Sequence, residues 1–304
     1  MSSKIYPVMV NGLPGKMAKI IAGEIFTDEA KAFLADLPEP HFPGLNLLKY
    51  SLTGPNMPSE VHIPEEIDPL IADSFDGYSI ELVAPENHKE FLCNLRMDNL
   101  LAIDFVKGEG QANKNAELYF ENKIPFVMGS TGADYEMIDK LARKTKTPCV
   151  AFPNMDQRIV AWMYGISQMA EKCPGAFEDT EYDLMESHQV DKKDTSGTFK
   201  EMIKHLSRLG EKEVVLDDIT KLRDDSGVQA KLIGIPKNWI GWHAYHFLKV
   251  SDDDGNSEEL TFKRHGGASY MRGTIKALDF LIDVIEKGGE PKRYTMFDVF
   301  EGGK

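Results

Sequence analysis

Lys4-Ile-Tyr-Pro-Val-Met-Val10, then Asn11-Gly-Leu-Pro-Gly-Lys-Met-Ala18, then Lys19-Ile-Ile-Ala-Gly-Glu-Ile25 opens the chain. The first piece reads as a short buried strand, weakened at Pro7 because proline cannot donate to a ladder. The second is a glycine turn and the third has helical character. Gly12, Gly15 and Ala18 fall at the three spacing positions of a dinucleotide-binding turn. Glycine at the first two permits a tight turn and close approach of a pyrophosphate, and a small third residue lets helix and strand pack. Gly12, Leu13, Pro14, Gly15, Lys16 and Met17 are therefore the first candidates to hold a nucleotide.

Outward from this turn the alternation continues. Leu45-Asn-Leu-Leu-Lys-Tyr-Ser51 reads as a second strand, and Leu100-Leu-Ala-Ile-Asp-Phe105 as a strand buried on both faces. Residues 112–122 read as a helix, Ile124–Met128 as a strand, 134–144 as a helix and Pro148–Phe152 as another strand. Repeated strand–helix units of this length predict a doubly wound parallel sheet, an α/β Rossmann-like fold. Ligands of such sheets sit at the carboxyl ends of the strands. Gly12, Phe105, Gly129 and Asn154 all fall there. Enzymes that use NAD usually end the second strand in an acidic residue, but Lys49, Ser51 and Thr53 are basic or neutral. That leans toward the 2′-phosphate of NADPH over NADH, with Ser51 beside it.

The pattern changes after Asp156. Ile159, Val160, Trp162, Met163, Ile166 and Met169 recur at helical spacing and read as the core face of a long helix. Strands are expected at 182–190, 229–235, 242–250 and 258–263, the last two joined by a hairpin turn at Asp252-Asp-Asp-Gly-Asn256. A helix from Met271 to Glu286 follows. The chain thus divides into 1–153 plus 270–304 as a dinucleotide-binding domain, and 154–269 as an α+β domain.

A net charge of −14 over 304 residues argues against a nucleic-acid or anionic-membrane partner. No apolar run approaches the roughly 20 residues that cross a bilayer, and no signal peptide is visible. Three widely spaced cysteines, Cys93, Cys149 and Cys173, form neither a disulfide framework nor a zinc pattern. They read as small buried residues in a reducing, cytoplasmic compartment, or a plastid if a transit segment was removed. His41, His62, His88 and His205 read as surface or loop residues. No metal is expected, because His243 and His246 stand three apart on a strand and point to opposite faces.

Glu186-Ser-His-Gln-Val-Asp-Lys-Lys-Asp-Thr-Ser-Gly-Thr198 carries the chemistry. Ser196, Gly197 and Thr198 offer hydroxyls and N–H groups at a helix start, where an anion binds well. His188 and Lys192 can supply a proton or a positive charge beside it. Lys192, Lys193 and Lys200 form a local basic cluster that can outweigh the global charge at short range.

With these pieces in place, the chain resembles the dihydrodipicolinate reductase family of the lysine pathway, most closely its plant-type branch. Gly12-Leu-Pro-Gly-Lys-Met17 is similar to the family's G-x-x-G-x-M turn, and Phe126-Val-Met-Gly-Ser-Thr-Gly-Ala-Asp134 to its F-V-x-G-T-T-G-x-D segment along the nicotinamide. Glu186 to Thr198 resembles E-x-H-x-x-x-K-x-D-x-S-G-T, and Gly273-Thr-Ile-Lys-Ala277 the terminal G-x-x-x-A helix. Phe152-Pro-Asn-Met155 fits the family's hinge. The resemblance implies a homotetramer or homodimer, hydride delivery from NADPH or NADH, and a small anionic substrate, an unsaturated dicarboxylated heterocycle. It adds Ser130, Thr131, Pro153 and Met155 to the cofactor candidates and Gln189 to the substrate candidates. His188 would protonate the ring, Lys192 would stabilise charge or share the proton, and Ser196, Gly197 and Thr198 would hold one carboxylate.

Two positions depart from the family. Gly267 stands where an arginine usually helps bind substrate, with Arg264 and Arg272 out of register, and Val106 replaces a threonine near the nicotinamide. These leave open a paralogous reductase acting on another cyclic imine or conjugated acid, and, from a different class, a nucleotide-binding regulatory homologue without turnover.

Overall fold

The computed structural model describes residues 4–34, 45–63, 78–108, 110–192, 194–210, 213–223 and 227–302. His41 and Lys193 lie outside them. The chain forms two compact units, Met1–Asp156 with Tyr270–Lys304, and Gln157–Ser269.

In chain order the elements are β1 (Tyr6–Asn11), α1 (Lys16–Leu34), β2 (Leu45–Leu47), β3 (Tyr50–Leu52), β4 (Glu60–Ile63), β5 (Tyr78–Val83) and α2 (His88–Asn94). Then come β6 (Leu101–Asp104), α3 (Gln111–Glu121), β7 (Phe126–Met128), α4 (Tyr135–Thr145) and β8 (Cys149–Ala151). The second unit holds α5 (Gln157–Lys172), β9 (Glu181–His188), α6 (Gly197–Leu209), β10 (Ile219–Leu222), α7 (Val228–Ile233), β11 (His243–Ser251) and β12 (Ser257–His265). The chain closes with α8 (Ala268–Glu286), β13 (Arg293–Tyr294) and α9 (Met296–Glu301). Among the described residues no helix is long and apolar enough to cross a membrane.

In the first unit six parallel strands run in the order β13-β8-β7-β6-β1-β2. The expected second strand, 45–51, is in fact two. Leu48 still donates its N–H to Val8 O at 2.9 Å, but Lys49 O then accepts the N–H of Glu81. From there β3 joins β5 and β4 in a separate three-stranded sheet. Sequence reading passed over β4 and β5.

A buried carboxylate ties the strand ends together. Asp104 Oδ1 accepts the Ser130 hydroxyl at 2.5 Å and the Val106 N–H at 3.1 Å. Its Oδ2 accepts from Tyr119 Oη at 2.6 Å and Asn115 Nδ2 at 2.8 Å. Asn11 Nδ2 donates to Tyr119 Oη at 2.7 Å while its Oδ1 accepts the Leu52 N–H at 2.7 Å. One network therefore reaches β1, β3, β6, α3 and the loop after β7. Burial pushes the Asp104 carboxyl upward, and its donors oppose that. Four donors match the acceptor sites of an ionised carboxylate.

The second unit is a four-stranded sheet, β10-β9-β11-β12, with β10 parallel to β9 and the other pairs antiparallel. Residues directly opposite on paired strands share a face, so register defines rows. Glu186, His246 and Phe262 form one row, and His188, Ala244 and Arg264 the next. Phe199 of α6 packs edge-on against His246 on this face, with ring centres 5.1 Å apart. The opposite face carries His243, whose Nε2 lies 2.9 Å from Ser187 Oγ, and Tyr245, whose hydroxyl lies 2.6 Å from His265 Nε2. The hairpin turn forms as expected, closed by the Asn256 side chain on Asp252 and by Gly255 at φ +88°.

Several expectations are corrected. The stretch 229–235 is no strand. Its Ala230, Lys231 and Leu232 are helix formers, and glycines with positive φ, Gly227 and Gly234, bracket α7. α5 buries Ile159, Val160, Met163, Ile166 and Ala170, which leaves Trp162 and Met169, seven residues apart on its flank, 54% and 43% exposed. Only Cys149, inside β8, is a buried cysteine; Cys93 and Cys173 are exposed near helix ends. His88 is buried, its Nε2 3.0 Å from Val83 O at the end of β5.

Tyr119→Phe removes one of four donors to a buried carboxylate and strands Asn11 Nδ2. An unsatisfied buried group costs about 1–3 kcal/mol. Urea unfolding of the variant is expected to show a loss of that size, and an unchanged midpoint would remove the network from the stability of this unit.

Candidate functional site

The nucleotide turn is built by close approach. Gly12 has φ +105°, and a Cβ there would stand 2.6 Å from the Phe105 carbonyl carbon and oxygen. A Cβ on Gly15 would meet Gly12 O at 2.7 Å. Any side chain at either position would fill the cradle, so the turn fits a pyrophosphate whose oxygens approach backbone. α1 begins at Lys16, directing a helix N-terminus at this turn. Lys16 is exposed, and Pro14 and Met17 are half-buried.

From behind, Leu13 N–H donates to Ser51 Oγ at 3.4 Å, Thr53 Oγ1 donates to Leu13 O at 2.6 Å, and Gly12 N–H donates to Leu52 O at 2.8 Å. The buried hydroxyls of Ser51 and Thr53 thus brace the turn. Phe105 follows β6 and lies against Gly129, where a Cβ would meet its ring at 2.5 Å. Gly129 N–H donates to Asp104 O at 3.0 Å, and Ser130 is held by Asp104 as above. Thr131 is exposed just beyond. Past β8, Pro153 is half-buried, Met155 is buried, and Asn154 Oδ1 accepts the Asp156 N–H at 2.7 Å. The cofactor candidates therefore collect at the carboxyl ends of β1, β3, β6, β7 and β8. Sequence reasoning missed Asp104, Asn11 and Tyr119 as their scaffold; polar residues at the ends of apolar strands were the available signal.

In the second unit the acid–base candidates gather on the helix-covered face. Glu186 is fully buried. Both its oxygens accept the Ser196 N–H, at 3.1 and 3.3 Å, and Arg223 forms an ion pair with Oε1. Arg223 also donates to Glu186 O at 3.2 Å, to Asp194 O at 3.3 Å and to the carbonyl of Lys192. This clamp holds the end of β9 against Lys192, Asp194 and Ser196. Nothing local in the sequence marks Arg223, which lies 37 residues beyond Glu186.

Ser196 caps α6, its Oγ accepting the Phe199 N–H at 3.3 Å. Gly197 and Thr198 form the first helical turn, both buried. Gln189 is half-buried, and its carbonyl accepts the Lys192 N–H at 3.1 Å. Lys192 Nζ donates to Asp194 at 3.0 Å, with Lys200 4.0 Å from the same carboxylate. The rings of His188 and His246 are 5.2 Å apart, edge to face. Arg264, half-buried, stands in the same row as His188. His246, considered in the sequence only as half of a rejected metal pair, is thus central, and His243 lies on the opposite face as expected.

Electrostatics keep both rings neutral. Burial, then the neighbouring His246, Lys192, Arg223 and His243, hold His188 far below the usual histidine range. Burial, Lys192, Arg223 and Arg264 bring His246 down to about 3. Glu186, His188 and His246 place ligand-type atoms within 4.8 Å of one another. A metal ion there would have to displace Arg223 and Ser196 from Glu186 and sit beside Lys192. The donor set therefore favours an anion-binding, proton-handling role over a metal centre.

These shifts have a sign for stability. The unfolded chain titrates its histidines near ~6.5, well above the folded values. Below that pH the unfolded state binds more protons, so stability present above it is lost as pH falls toward the folded values. Each such histidine adds a slope of up to about 1.4 kcal/mol per pH unit. His246→Gln is expected to flatten the fall in unfolding free energy between pH 6.5 and 4 by up to that amount. Parallel pH–stability curves for variant and wild type would contradict the assignment.

The family described as dihydrodipicolinate reductase, N-terminus, matches residues 6–155, and dihydrodipicolinate reductase, C-terminus, matches 160–300. A probable 4-hydroxy-tetrahydrodipicolinate reductase 1, chloroplastic, from Oryza sativa subsp. japonica is 31% identical over 300 residues, covering 98% of this chain and 79% of that protein. The Arabidopsis thaliana 4-hydroxy-tetrahydrodipicolinate reductase 1, chloroplastic, is 31% identical over 307 residues, covering 97% and 78%. Among solved structures, a dipicolinate-bound dihydrodipicolinate reductase from Paenisporosarcina sp. TG-14 shares the fold, with a TM-score of 0.55 and 18% identity over 96% of this chain and 97% of that one. The two family matches together span nearly the whole sequence, and the chain belongs to the dihydrodipicolinate reductase family.

Proposed function

We propose that this chain reduces dihydrodipicolinate, which 4-hydroxy-tetrahydrodipicolinate yields by losing water, to tetrahydrodipicolinate. The observation that carries the reading is the single face on which His188, Lys192, the Ser196 helix start and Arg264 meet. The bound nicotinamide supplies a hydride; Gly12, Gly15 and the loops after β6, β7 and β8 hold the nucleotide. One hydride and one proton add across one double bond of the ring, so the protein must supply the proton.

Ser196 Oγ and the N–H groups of Gly197 and Thr198 hold one carboxylate, as donors to an anion at a helix start. Arg264 is our candidate for the second carboxylate. Gly267 lacks a side chain, but register places Arg264 across from Ala244, which lies across from His188. The substitution noted in the sequence is thereby offset from three residues upstream. His188 is neutral in the free chain, so it takes up its proton with the substrate. Burial is the main force against imidazolium there, and two carboxylates oppose it by reversing the field of Lys192 and Arg223. Lys192 steadies the negative charge that hydride addition builds on the ring until His188 gives its proton.

For the nucleotide we propose NADPH as the preferred donor, because β3 ends at Leu52 and runs into Thr53-Gly54 without a carboxylate to accept a 2′-hydroxyl. A cavity of about 700 Å³ beside Thr53 is lined in part by Glu81, Glu86 and Glu90, which oppose a 2′-phosphate and make the preference small.

NADPH oxidation with freshly generated dihydrodipicolinate tests the reading. Wild type is expected to turn over, with kcat/KM only modestly higher for NADPH than for NADH. His188→Ala and Lys192→Ala should lose roughly 10²–10⁴-fold in rate, the usual contribution of acid–base catalysis, and still bind nucleotide. Arg264→Gln should raise KM more than it lowers kcat. A wild-type protein that binds NADPH and ignores this substrate would instead favour a paralogue acting on another cyclic imine.

A further inference from the structure

We propose that His246 is a positioning residue that sets the direction of the Ser196 hydroxyl, so that Ser196 donates its proton to an anionic group of the substrate. This rests on the proposed reductase reading only for the identity of that anion.

Ser196 Oγ has one proton to give and two lone pairs to receive. One lone pair accepts the Phe199 N–H at 3.3 Å, the bond that caps α6. His246 Nε2 lies 2.8 Å from the same oxygen. If Nε2 carries the imidazole proton, it fills the second lone pair, and the Ser196 proton is left to point away from both partners. If Nε2 is bare, Ser196 must donate to it, and the hydroxyl then turns a lone pair toward any arriving carboxylate. The first arrangement attracts an anion and the second repels it.

Burial decides between them. His246 is 1% exposed, and its Nδ1 has no hydrogen-bond partner among the described residues. A proton on Nδ1 would be a buried donor with nothing to meet, which native structures seldom tolerate. Bare, Nδ1 is an unmet acceptor of the kind more often found. The charged groups around the ring act in the same sense. Lys192, Arg223 and Arg264 oppose a second proton, and Glu186, which could favour one, is already matched by Arg223 and the Ser196 N–H. Edge-to-face contacts with Phe199 at 5.1 Å and His188 at 5.2 Å hold the ring in place. Neutral His246 with its proton on Nε2 is the state that these constraints leave. Its register partner is Glu186, so the same cross-strand row anchors the Ser196 N–H through Glu186 and the Ser196 hydroxyl through His246.

Two measurements test this. Nitrogen-15 histidine NMR of the wild-type protein at neutral pH, with the His246 signals assigned by their loss in His246→Gln, should show a neutral ring protonated at Nε2. A proton on Nδ1, or on both nitrogens, overturns the proposal whatever the substrate proves to be. Steady-state kinetics supply the second test. His246→Leu cannot donate to Ser196, and a hydrogen bond to a charged group is worth roughly ten- to a hundredfold in binding. KM for dihydrodipicolinate should rise by that factor, with kcat changing less. His246→Gln, which can present an N–H near the Nε2 position, should stay within a few fold of wild type. Equal KM values in wild type and His246→Leu would also overturn the proposal. If wild type fails to turn over dihydrodipicolinate at all, the reductase reading fails, and the tautomer measurement still decides the role of His246.

Discussion

A carboxylate with no access to water organises the second unit. Glu186 is buried completely, and an unpaired charge in that position would cost several kcal/mol. Its two oxygens are met by the Ser196 N–H and by Arg223, which sit on separate segments. Pairing Glu186 therefore draws the end of β9, the start of α6 and the end of β10 to one point. His188 and Lys192 lie between those ends in sequence, so their positions follow from that closure. A buried ion pair of this kind adds little net stability compared with apolar packing. What it supplies is placement: Arg223 also donates to the backbone carbonyls of Glu186, Lys192, Leu222 and Asp194, and no apolar residue could gather them.

The first unit repeats the device with a different carboxylate. Asp104 ends β6 as Glu186 lies near the end of β9, and four donors surround it where Arg223 and one N–H surround the other. In both places a strand end would otherwise leave buried backbone groups and a buried charge unsatisfied. The solution is a network contributed by distant segments. Gly12, Phe105, Gly129 and Ser130 owe their mutual positions to it, because Phe105 N–H donates to Asn11 O and Gly129 N–H to Asp104 O.

Much of this was legible in order of sequence. Strand ends, the glycine turn, the Asp252–Asn256 hairpin and the spacing from Glu186 to Thr198 are local properties, and they emerge at or near their expected positions. The partners that satisfy buried charge are not local. Arg223 lies far from Glu186 in sequence and its neighbours carry no motif. His246 was visible only as one member of a pair whose metal-binding geometry fails. Periodicity misled where two faces of one helix are both apolar, as for Trp162 and Met169 on α5. It misled again where a short stretch of mixed propensity could be either state, as at α7. The continuous strand expected at 45–51 divides because Lys49 O is taken by Glu81 from a segment that carried no sequence reading.

The chain's charge sharpens the chemistry that remains. With a net charge of −14, the far field repels a dianion, and at physiological ionic strength that field decays over about 8 Å. On the proposed reading, attraction has to arise within the site: from the start of α6, from Lys192 and Lys200, and from Arg264 in the row of His188. In the free chain two of these cations are partly quieted, since Asp194 lies 3.0 Å from Lys192 and 4.0 Å from Lys200. Burial and the remaining positive field hold both histidines neutral. On the proposed mechanism such a site is poor in acid until an anion enters and opposes the burial and positive field that disfavour imidazolium. Proton supply and substrate binding then become one event, and water, which brings no charge, does not trigger it.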